Sequence, residues 1–313
     1  MTGKPIYIIG GPTASGKSGI ALKLARALLE QKNHSVIINA DSQQIYQEIP
    51  IITASPSADD LKEFPHELYG ILPMHDACSV ARWLALAENA INKAHASNQL
   101  PILVGGTGMY LRALIYGIAT IPEITPHIRE QTRNLLDDVG QERFYSLLCE
   151  RDPITGNKLN KGDTQRILRA WEVLEQTGKP LHEWQKEPQK IFFNENQFSG
   201  IFIHPPRTEL YARCDKRLVE MIEKEGALDE AKSVMKLNLD PSLPAMKSLG
   251  LPQLLEYLEN KISIEEATIQ AQQQTRRYAK RQVTWFRHQL PLLEETMPSQ
   301  CDLTTIANNI NNS

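Results

Sequence analysis

The sequence predicts an α/β fold in which helices flank a parallel sheet and a mainly helical domain is inserted into the chain. Short apolar strands alternate with helical patterns over the first hundred residues, which is typical of a parallel sheet covered on both faces. After about Gly117 the pattern becomes helical with charged faces, and strand character returns only at Gly200. We therefore expect one α/β core built from two separated stretches of chain.

The first three strands are predicted from short apolar runs, at residues 5–9, 36–38 and 101–104. A glycine-rich loop follows the first run, and helical periodicity extends from about residue 17 to 31. Another helix is expected from Ser79, a residue suited to N-capping, to about residue 97. Ligands of parallel sheets bind at the carboxyl ends of the strands. Three polar loops are expected there, at residues 10–18, 39–44 and 105–108.

Two stretches, residues 1–119 and 199–313, are predicted to form the core, with C-terminal helices after the strand pattern at 200–203. Residues 120–198 form the predicted helical insertion, whose helices are broken by prolines and glycines. The polar tail from Thr304 onward is expected to fray.

Composition excludes several classes of protein. The 313 residues are 41% apolar and 23% charged, as in ordinary globular proteins, and no apolar run approaches the roughly 18 residues that a membrane span requires. Four widely separated cysteines predict neither a zinc site nor a disulfide framework, and the N-terminal residues lack the apolar core of a signal peptide. We therefore expect a cytoplasmic protein that does not bind membranes.

The glycine-rich loop has the composition of a phosphate-binding loop. Its residues, Gly11, Pro12, Thr13, Ala14, Ser15, Gly16, Lys17 and Ser18, fit the pattern G-x-x-x-x-G-K-[ST] between a strand and a helix. Backbone N–H groups and the helix N-terminus attract phosphate oxygens, Lys17 adds a positive charge, and Ser18 offers a hydroxyl to Mg²⁺. The core is thus expected to be of the P-loop NTPase type, with Mg²⁺ as cofactor. A chance match in a strand–helix turn is the alternative.

The loop alone does not identify the polyphosphate. No NKxD sequence is present, which argues against a typical GTPase, and no strand ends in a convincing Walker B motif. A P-loop kinase of a small metabolite and a non-catalytic RNA-binding ATPase therefore remain alternatives. Asp41 and Thr107 follow two other predicted strands, so both are expected to face the ligand of the loop. A helix cap and a simple turn are their structural alternatives.

A cationic segment stands out in a chain whose net charge is only −3. No Asp or Glu occurs between Ala267 and Leu293, and on a helix the basic residues of this stretch fall on one arc: Arg276, Arg277, Lys280, Arg281 and Arg287. A solvated face usually mixes charges of both signs, so this arc predicts contacts with a nucleic-acid backbone.

Six stretches, in the same order, resemble the bacterial tRNA dimethylallyltransferases, also called tRNA isopentenyltransferases. Besides the phosphate loop, they are residues 41–46, 65–72, 105–111, 164–173 and 275–287. The resemblance spans about residues 5–290, and the last stretch is quite specific. The family usually has Met at Gln43, Lys at Ser55 and Tyr at Leu251, so the chain departs from it there.

The resemblance implies that a dimethylallyl group passes from dimethylallyl diphosphate to N6 of adenosine 37, which lies 3′ of the tRNA anticodon. It implies that the loop holds the diphosphate, that Asp41 is the base at N6, that Thr107 orients the reacting centre and that one of two arginines, assigned as Arg213, reaches the diphosphate. Ion pairs with Glu209 or Asp215 are the alternative for Arg213 and Arg217. The implied tRNA contacts come from Asp41, Ser42, Gln43, Gln44, Thr107, Arg129, Gln165, Arg166, Arg169, Lys247, Arg276, Arg277, Lys280 and Arg281. A monomer is expected.

Overall fold

A six-stranded, all-parallel sheet forms the centre of the core in this computed structural model, which describes residues 3–187 and 189–311. The strands are β1 (Ile6–Gly10), β2 (His34–Asn39), β3 (His66–Glu67), β4 (Gln99–Gly105), β5 (Phe198–Ile203) and β6 (Glu294–Thr296). Their spatial order is β3-β2-β4-β1-β5-β6. The predicted parallel sheet is thus confirmed, and the central strand β1 is buried along its whole length.

Helices cover both faces of this sheet. Those of the core are α1 (Lys17–Glu30), α2 (Pro50–Thr53), α3 (Ala58–Glu63), α4 (Val80–Ala96) and α5 (Gly108–Tyr116), followed after the insertion by α10 (Arg207–Glu220), α11 (Ala227–Met235), α12 (Leu251–Leu258), α13 (Ile264–Gln289) and α14 (Leu303–Asn311). A π-helical turn, Met221–Glu225, continues α10, and 3-10 turns lie at Glu195–Gln197, Ala245–Lys247 and Pro298–Gln300. The Ser79 side chain accepts the backbone N–H of Arg82 and so caps α4 as predicted.

The chain divides into two compact units, Met1–Ile115 with Phe193–Ser313 and, between them, Tyr116–Phe192. The second unit contains α6 (Pro126–Arg151), α7 (Pro153–Lys158), α8 (Thr164–Thr177) and α9 (Leu181–Trp184). It has its own apolar core, in which Phe144 packs against Trp171 with ring centroids 5.2 Å apart. Its limits lie a few residues before those predicted for the insertion. At the C-terminal limit, the segment that leads into strand β5 at Phe198 already belongs to the first unit, which resumes at Phe193.

The sheet register brings three polar loops together. Gly10 pairs with Gly105, and Asn39 pairs with Val104, so β1, β2 and β4 end side by side. The loops that follow these strands are the ones predicted to hold the ligand. Gly105 is required at this junction, because a Cβ there would lie 2.0 Å from the Ala40 carbonyl oxygen.

The polar tail is helical where the structure describes it, which makes the expectation of fraying wrong for Thr304 to Asn311. Helix α14 packs against α1, and Ala307 is completely buried between them. Residues 312 and 313 lie outside the described part of the chain. Among the described residues, no helix combines the length and the apolar character needed to cross a membrane.

Candidate active site

The phosphate loop turns sharply between β1 and α1. The Ser15 N–H donates to the Pro12 carbonyl at 3.2 Å, and Gly16 adopts φ 91° directly before the first residue of α1. A positive φ of this kind favours glycine and lets the loop N–H groups converge at the helix N-terminus. The loop therefore has the local geometry of an anion site.

Lys17 begins α1 and points into the loop. Its side chain is buried, and Nζ lies 3.4 Å from the Pro12 carbonyl oxygen, at the long limit of a hydrogen bond. Burial lowers the pKa of Lys17, the nearby carboxylate of Asp41 opposes this shift, and the Arg217 guanidinium adds to it. A buried cation with one weak hydrogen bond is well suited to an anionic ligand.

A cleft opens beside this lysine. Its lining residues are Thr13, Ala14, Asp41, Gln43, Ile52, Thr53, Cys214, Arg217, Leu218, Met221, Leu249, Thr275 and Tyr278. Polar groups come from the loops, from α13 and from Arg217 of α10, whereas α2, the rest of α10 and the segment before α12 contribute mainly apolar side chains. The cleft thus has a charged end and an apolar wall.

Arg217 was the alternative to Arg213 in the sequence, and it is the arginine that lines the cleft. Burial lowers the pKa of Arg217, and the charge of Asp41 opposes that shift. Among the described residues it has no hydrogen-bond or ion-pair partner. The Arg213 guanidinium pairs with Glu209 and also lies 3.4 Å from the Ser15 carbonyl oxygen. Both arginines therefore adjoin the phosphate loop, but only Arg217 has an uncommitted guanidinium.

Asp41 is held in place by Asn39, a residue that the sequence analysis did not select. The Asn39 side chain accepts the Asp41 N–H at 2.7 Å and donates to the carbonyls of Asp41 and Leu68, each at 3.0 Å. The Asp41 carboxylate accepts the Gln43 N–H at 3.1 Å. These bonds fix the carboxylate at the end of β2, where it faces the cleft.

Thr107 is joined to the same loop. Its hydroxyl accepts the Ser42 N–H at 2.9 Å and donates to the Ser42 hydroxyl at 3.2 Å. Burial and the charge of Asp41 raise the pKa of Tyr278, and the adjacent Thr107 hydroxyl opposes this shift. Asp41, Thr107 and Tyr278 therefore form one polar cluster. The sequence pattern did not single out Tyr278, so its part in the cluster was missed.

Ser18 follows Lys17 in the first turn of α1, and its side chain is exposed. Within the described part of the chain, no three acidic, histidine or cysteine side chains cluster as a metal site. Mg²⁺ keeps several waters and is bound by few protein groups together with substrate phosphates. A single exposed hydroxyl at a phosphate loop therefore fits this ion.

The cationic helix is less uniform than its sequence. Arg276 forms an ion pair with Asp215 at 2.5 Å, and Arg287 pairs with Glu295 at 2.7 Å. Three basic residues of the arc are left on the exposed surface of α13: Arg277, Lys280 and Arg281. The acids that pair with the other two, Asp215 and Glu295, lie outside the acid-free segment, so the absence of acids within it could not reveal them.

The remaining residues of the implied tRNA surface are not all exposed. Gln44 is buried, and its amide donates to the carbonyls of Thr53 and Ala54 at 3.0 and 2.6 Å. Gln43 accepts the Ser248 hydroxyl at 2.5 Å and lines the cleft, while Lys247 is exposed. Gln44 is thus a structural residue that holds the end of α2.

In the second unit, the four residues of the implied tRNA surface are exposed: Arg129, Gln165, Arg166 and Arg169. Arg166 lies 3.2 Å from Asp163. Partial burial lowers the pKa of Arg169, the charge of Glu172 opposes this shift, and the neighbouring Arg129 adds to it. Arg129 and Arg169 therefore lie near each other, and the Glu172 carboxylate lies near both.

Known proteins resemble the chain over nearly its whole length. A sequence model of the IPP transferase family matches residues 44–289. The tRNA dimethylallyltransferase of Rhodospirillum centenum is 44% identical over 298 residues, which cover 95% of this chain and 93% of that protein.

Solved structures give the same result. A eukaryotic dimethylallyltransferase acting on tRNA superposes with a TM-score of 0.79 at 26% identity, over 99% of this chain and 77% of that one. The tRNA isopentenylpyrophosphate transferase of Bacillus halodurans superposes with a TM-score of 0.69 at 28% identity, over 99% and 96%.

Proposed function

Because this chain belongs to the IPP transferase family, and is thus a prenyltransferase that acts on tRNA, we propose that it transfers a dimethylallyl group from dimethylallyl diphosphate to N6 of adenosine 37, the base 3′ of the anticodon. The products are the N6-dimethylallyl base and diphosphate. The proposal includes a monomeric enzyme in the cytoplasm.

One observation carries this proposal: a single cleft combines a phosphate loop, a carboxylate and an apolar wall. Lys17 and Arg217 adjoin Asp41 at the charged end, and Ile52, Leu218 and Met221 line the apolar side. An allylic diphosphate has the same polarity, with a charged head and a short hydrocarbon tail. A kinase of a small polar metabolite would have no use for the apolar wall.

The donor binds with its diphosphate on the loop N–H groups and on Lys17. During transfer the bond from the allylic carbon to the bridging oxygen breaks, and negative charge accumulates on the leaving diphosphate. Arg217, which has no hydrogen-bond or ion-pair partner in the described part of the chain, stabilises this charge together with Lys17, and Arg213 supports the loop from the side of Ser15. The diphosphate carries away the electron pair of the broken bond.

The acceptor nitrogen needs a base, because the lone pair of adenine N6 is delocalised into the ring. As the new carbon–nitrogen bond forms, a proton from N6 passes to the Asp41 carboxylate. General-base help of this kind is worth about 10²–10⁴-fold in rate. Thr107, which is held by Ser42 and adjoins Tyr278, orients the base beside Asp41.

Mg²⁺ belongs to this proposal as the cofactor. The exposed Ser18 hydroxyl and the donor's phosphate oxygens would hold it. The ion supplies positive charge that lowers the cost of forming the diphosphate leaving group.

The tRNA binds to basic surfaces on both units. In the core these are Arg277, Lys280 and Arg281 on α13, with Lys247, and in the second unit they are Arg129, Arg166 and Arg169. Such residues neutralise backbone phosphates. The target adenine leaves its stack to reach the buried end of the cleft, as in other enzymes that modify a base.

The test uses purified protein, a tRNA with adenosine at position 37 and a matched tRNA with guanosine there. Label from radioactive dimethylallyl diphosphate is expected only in the first tRNA, and digestion should yield the N6-modified nucleoside. A parallel reaction with γ-labelled ATP tests the kinase alternative. Transfer of the ATP label, or equal labelling of both tRNAs, would contradict the proposal.

A further inference from the structure

Gln282 is a buried amide that connects two loops of the cleft. Its Oε1 accepts the Thr13 N–H at 2.9 Å, and its Nε2 donates to the Gly106 carbonyl at 2.8 Å. Its side chain is 5% exposed. The two partners fix the orientation of the amide, because only its oxygen can accept from Thr13 and only its nitrogen can donate to Gly106.

The two connected loops have different tasks in the proposed reaction. Thr13 belongs to the loop that binds the donor diphosphate, whereas Gly106 directly precedes Thr107, which orients the acceptor. Gly106 leaves room for the amide, since a Cβ there would lie 2.3 Å from the Gln282 nitrogen. The same imagined Cβ would lie 3.3 Å from an oxygen of Asp41. The Gln282 side chain therefore contacts both the donor loop and the acceptor loop, and the Asp41 carboxylate lies near this contact.

Helix α13 holds this amide rigidly. Tyr278 lies one turn earlier on the same face, close enough to Thr107 and Asp41 to have its pKa altered by both. One turn later Phe286 is buried against Phe202, with stacked rings 4.9 Å apart, and a Cβ at Gly108 would collide with the Trp285 ring. The buried face of α13 thus fits closely over the strand ends, which leaves Gln282 little freedom to move.

We propose that Gln282 is a positioning residue that sets the distance between the donor diphosphate and the acceptor adenine by connecting the phosphate loop to the Thr107 loop. This inference rests on the proposed prenyl transfer for its kinetic consequence, but the connection itself exists without catalysis. A misplacement of about 1 Å between reacting groups can cost on the order of 10²-fold in rate.

The first experiment needs no turnover. Amide hydrogen exchange is measured with and without inorganic diphosphate in the wild type and in Gln282→Met, which has a similar length but no amide. In the wild type, diphosphate is expected to slow exchange in residues 11–18 and also in residues 105–108. In the variant only residues 11–18 should respond. A response of both loops in the variant, or of only the phosphate loop in the wild type, would overturn the proposal.

The second experiment measures transfer under single-turnover conditions with saturating donor and tRNA. Gln282→Met is expected to lower the rate by about 10- to 10²-fold while the donor KM changes much less. Thr107→Val should lower the wild-type rate strongly but the Gln282→Met rate only slightly, because coupled residues are not additive. A merely structural glutamine would lower the melting temperature and give additive effects.

Two further variants complete the design. Gln272→Met removes a comparable bond on the same helix, from the Gln272 amide to the Asp215 carbonyl at 3.3 Å, and should leave both readouts unchanged. Gln282→Asn keeps the amide but is too short to reach both loops, so it replaces Gln282→Met if that variant does not fold. If the wild type shows loop-to-loop protection but no transfer, the proposed function fails and the connection stands. If it transfers without this protection, only the connection fails.

Discussion

At the scale of single residues, the position of Asp41 depends on a neighbour that carries no chemistry of its own. The Asn39 side chain accepts the Asp41 N–H and donates to the Asp41 carbonyl, and Trp83 donates to the Asn39 carbonyl at 3.0 Å. The carboxylate is thereby presented to the cleft by a rigid strand end. A preorganised base of this kind loses little entropy when the acceptor arrives.

We expect Asp41→Asn to lower turnover by at least about 10²-fold, since the amide cannot accept the N6 proton. The exposed carboxylate of Asp59 provides the matched control, Asp59→Asn, which should retain full activity. Rates are measured with saturating donor, and tRNA affinity is measured separately by filter binding. Near-normal turnover of Asp41→Asn, with tRNA still bound, would remove Asp41 from the mechanism.

Lys17 gives donor binding a pH dependence whose direction follows from its surroundings. Burial lowers the pKa of this lysine below its ordinary 10.5, so it loses its proton at a lower pH than a free lysine. Only the protonated form attracts the diphosphate. Donor affinity should therefore fall as the pH rises through the lowered pKa.

Calorimetric titration of dimethylallyl diphosphate in the absence of tRNA measures this dependence. The control is Lys17→Arg, whose guanidinium stays protonated over the same range. The variant should bind with little dependence on pH, even if its affinity is lower throughout. Identical pH profiles for the two proteins would assign the titration to another group.

Single residues also show what the sequence could and could not reveal about the site. That the phosphate loop, Asp41 and Thr107 lie together could be predicted, because motif spacing and strand ends are local features. The choice between Arg213 and Arg217 depends on which guanidinium is already paired with an acid. In the structure Arg213 is paired with Glu209, which lies one turn away. Tyr278 and Gln282 were missed because their partners lie more than 170 positions away, at Thr107 and Gly106.

At the scale of secondary-structure elements, α13 carries two functions on two faces. Its buried face closes the site, and its exposed face carries Arg277, Lys280 and Arg281. Helical periodicity predicted this division, but it could not predict that Arg276 meets Asp215 of α10. A charge that is already paired releases few counterions when it meets a phosphate.

The salt dependence of tRNA binding distinguishes these neighbouring arginines. Arg277→Gln should lower the slope of log affinity against log salt by about one, with little change in sequence preference. Arg276→Gln is the matched variant, one position away, and should change the slope less while lowering thermal stability. Equal slopes for Arg277→Gln and the wild type would make the exposed face of α13 a solvated surface, and the tRNA contacts would then be sought around Arg166.

Another pair of elements shapes the apolar wall. The Glu230 carboxylate, on α11, accepts the backbone N–H groups of Ile51 and Ile52 at 2.8 and 2.7 Å. It thereby caps the short helix α2, from which Ile52 faces the cleft. Burial raises the pKa of Glu230, and the two N–H donors oppose this shift.

Glu230→Ala should therefore lower the free energy of unfolding by about 1–3 kcal/mol, because two N–H groups lose their acceptor. It should also raise the donor KM, since Ile52 is no longer held against the cleft. The exposed Asp229→Ala is the control on the same helix. Chemical denaturation and steady-state kinetics measure the two effects. An unchanged donor KM would show that α2 does not contribute to donor binding.

Helix α14 shows how composition can mislead. Its polar residues predicted a frayed tail, yet Leu303, Ile306, Ala307 and Ile310 recur at helical spacing and pack against the core around α1. The period was present in the sequence, but the many asparagines and threonines obscured it. Periodicity was the better guide because packing of an apolar stripe, not propensity, stabilises most protein helices.

At the scale of the whole molecule, the order of the strands explains why the site is formed by segments far apart in sequence. Parallel strands need crossover connections, so neighbours in the sheet come from distant stretches of chain. The central strand β1 lies between β4 and β5, and β5 follows the entire second unit. The sequence pattern predicted a parallel sheet, but the pairing of β1 with β5 requires long-range contacts that no local pattern encodes.

The two units differ in what they should bind, which makes their stabilities separable. The phosphate loop and its cleft lie entirely in the first unit, whereas Arg129, Arg166 and Arg169 lie in the second, which has its own apolar core. A ligand stabilises the unit that binds it, by about 2.7 kcal/mol when its concentration is 100 times its Kd. Inorganic diphosphate should therefore raise the melting temperature of the first unit only.

Differential scanning calorimetry of the full chain tests this expectation, with Lys17→Ala as the variant in which diphosphate should have no effect. An anticodon stem–loop RNA should stabilise both units, because it neutralises cations on each of them. In Arg129→Gln/Arg169→Gln its effect on the second unit should disappear, while the effect of diphosphate on the first remains. A single transition that diphosphate shifts as a whole would mean that the units unfold together, and binding would then have to be assigned from local exchange rates instead of melting temperatures.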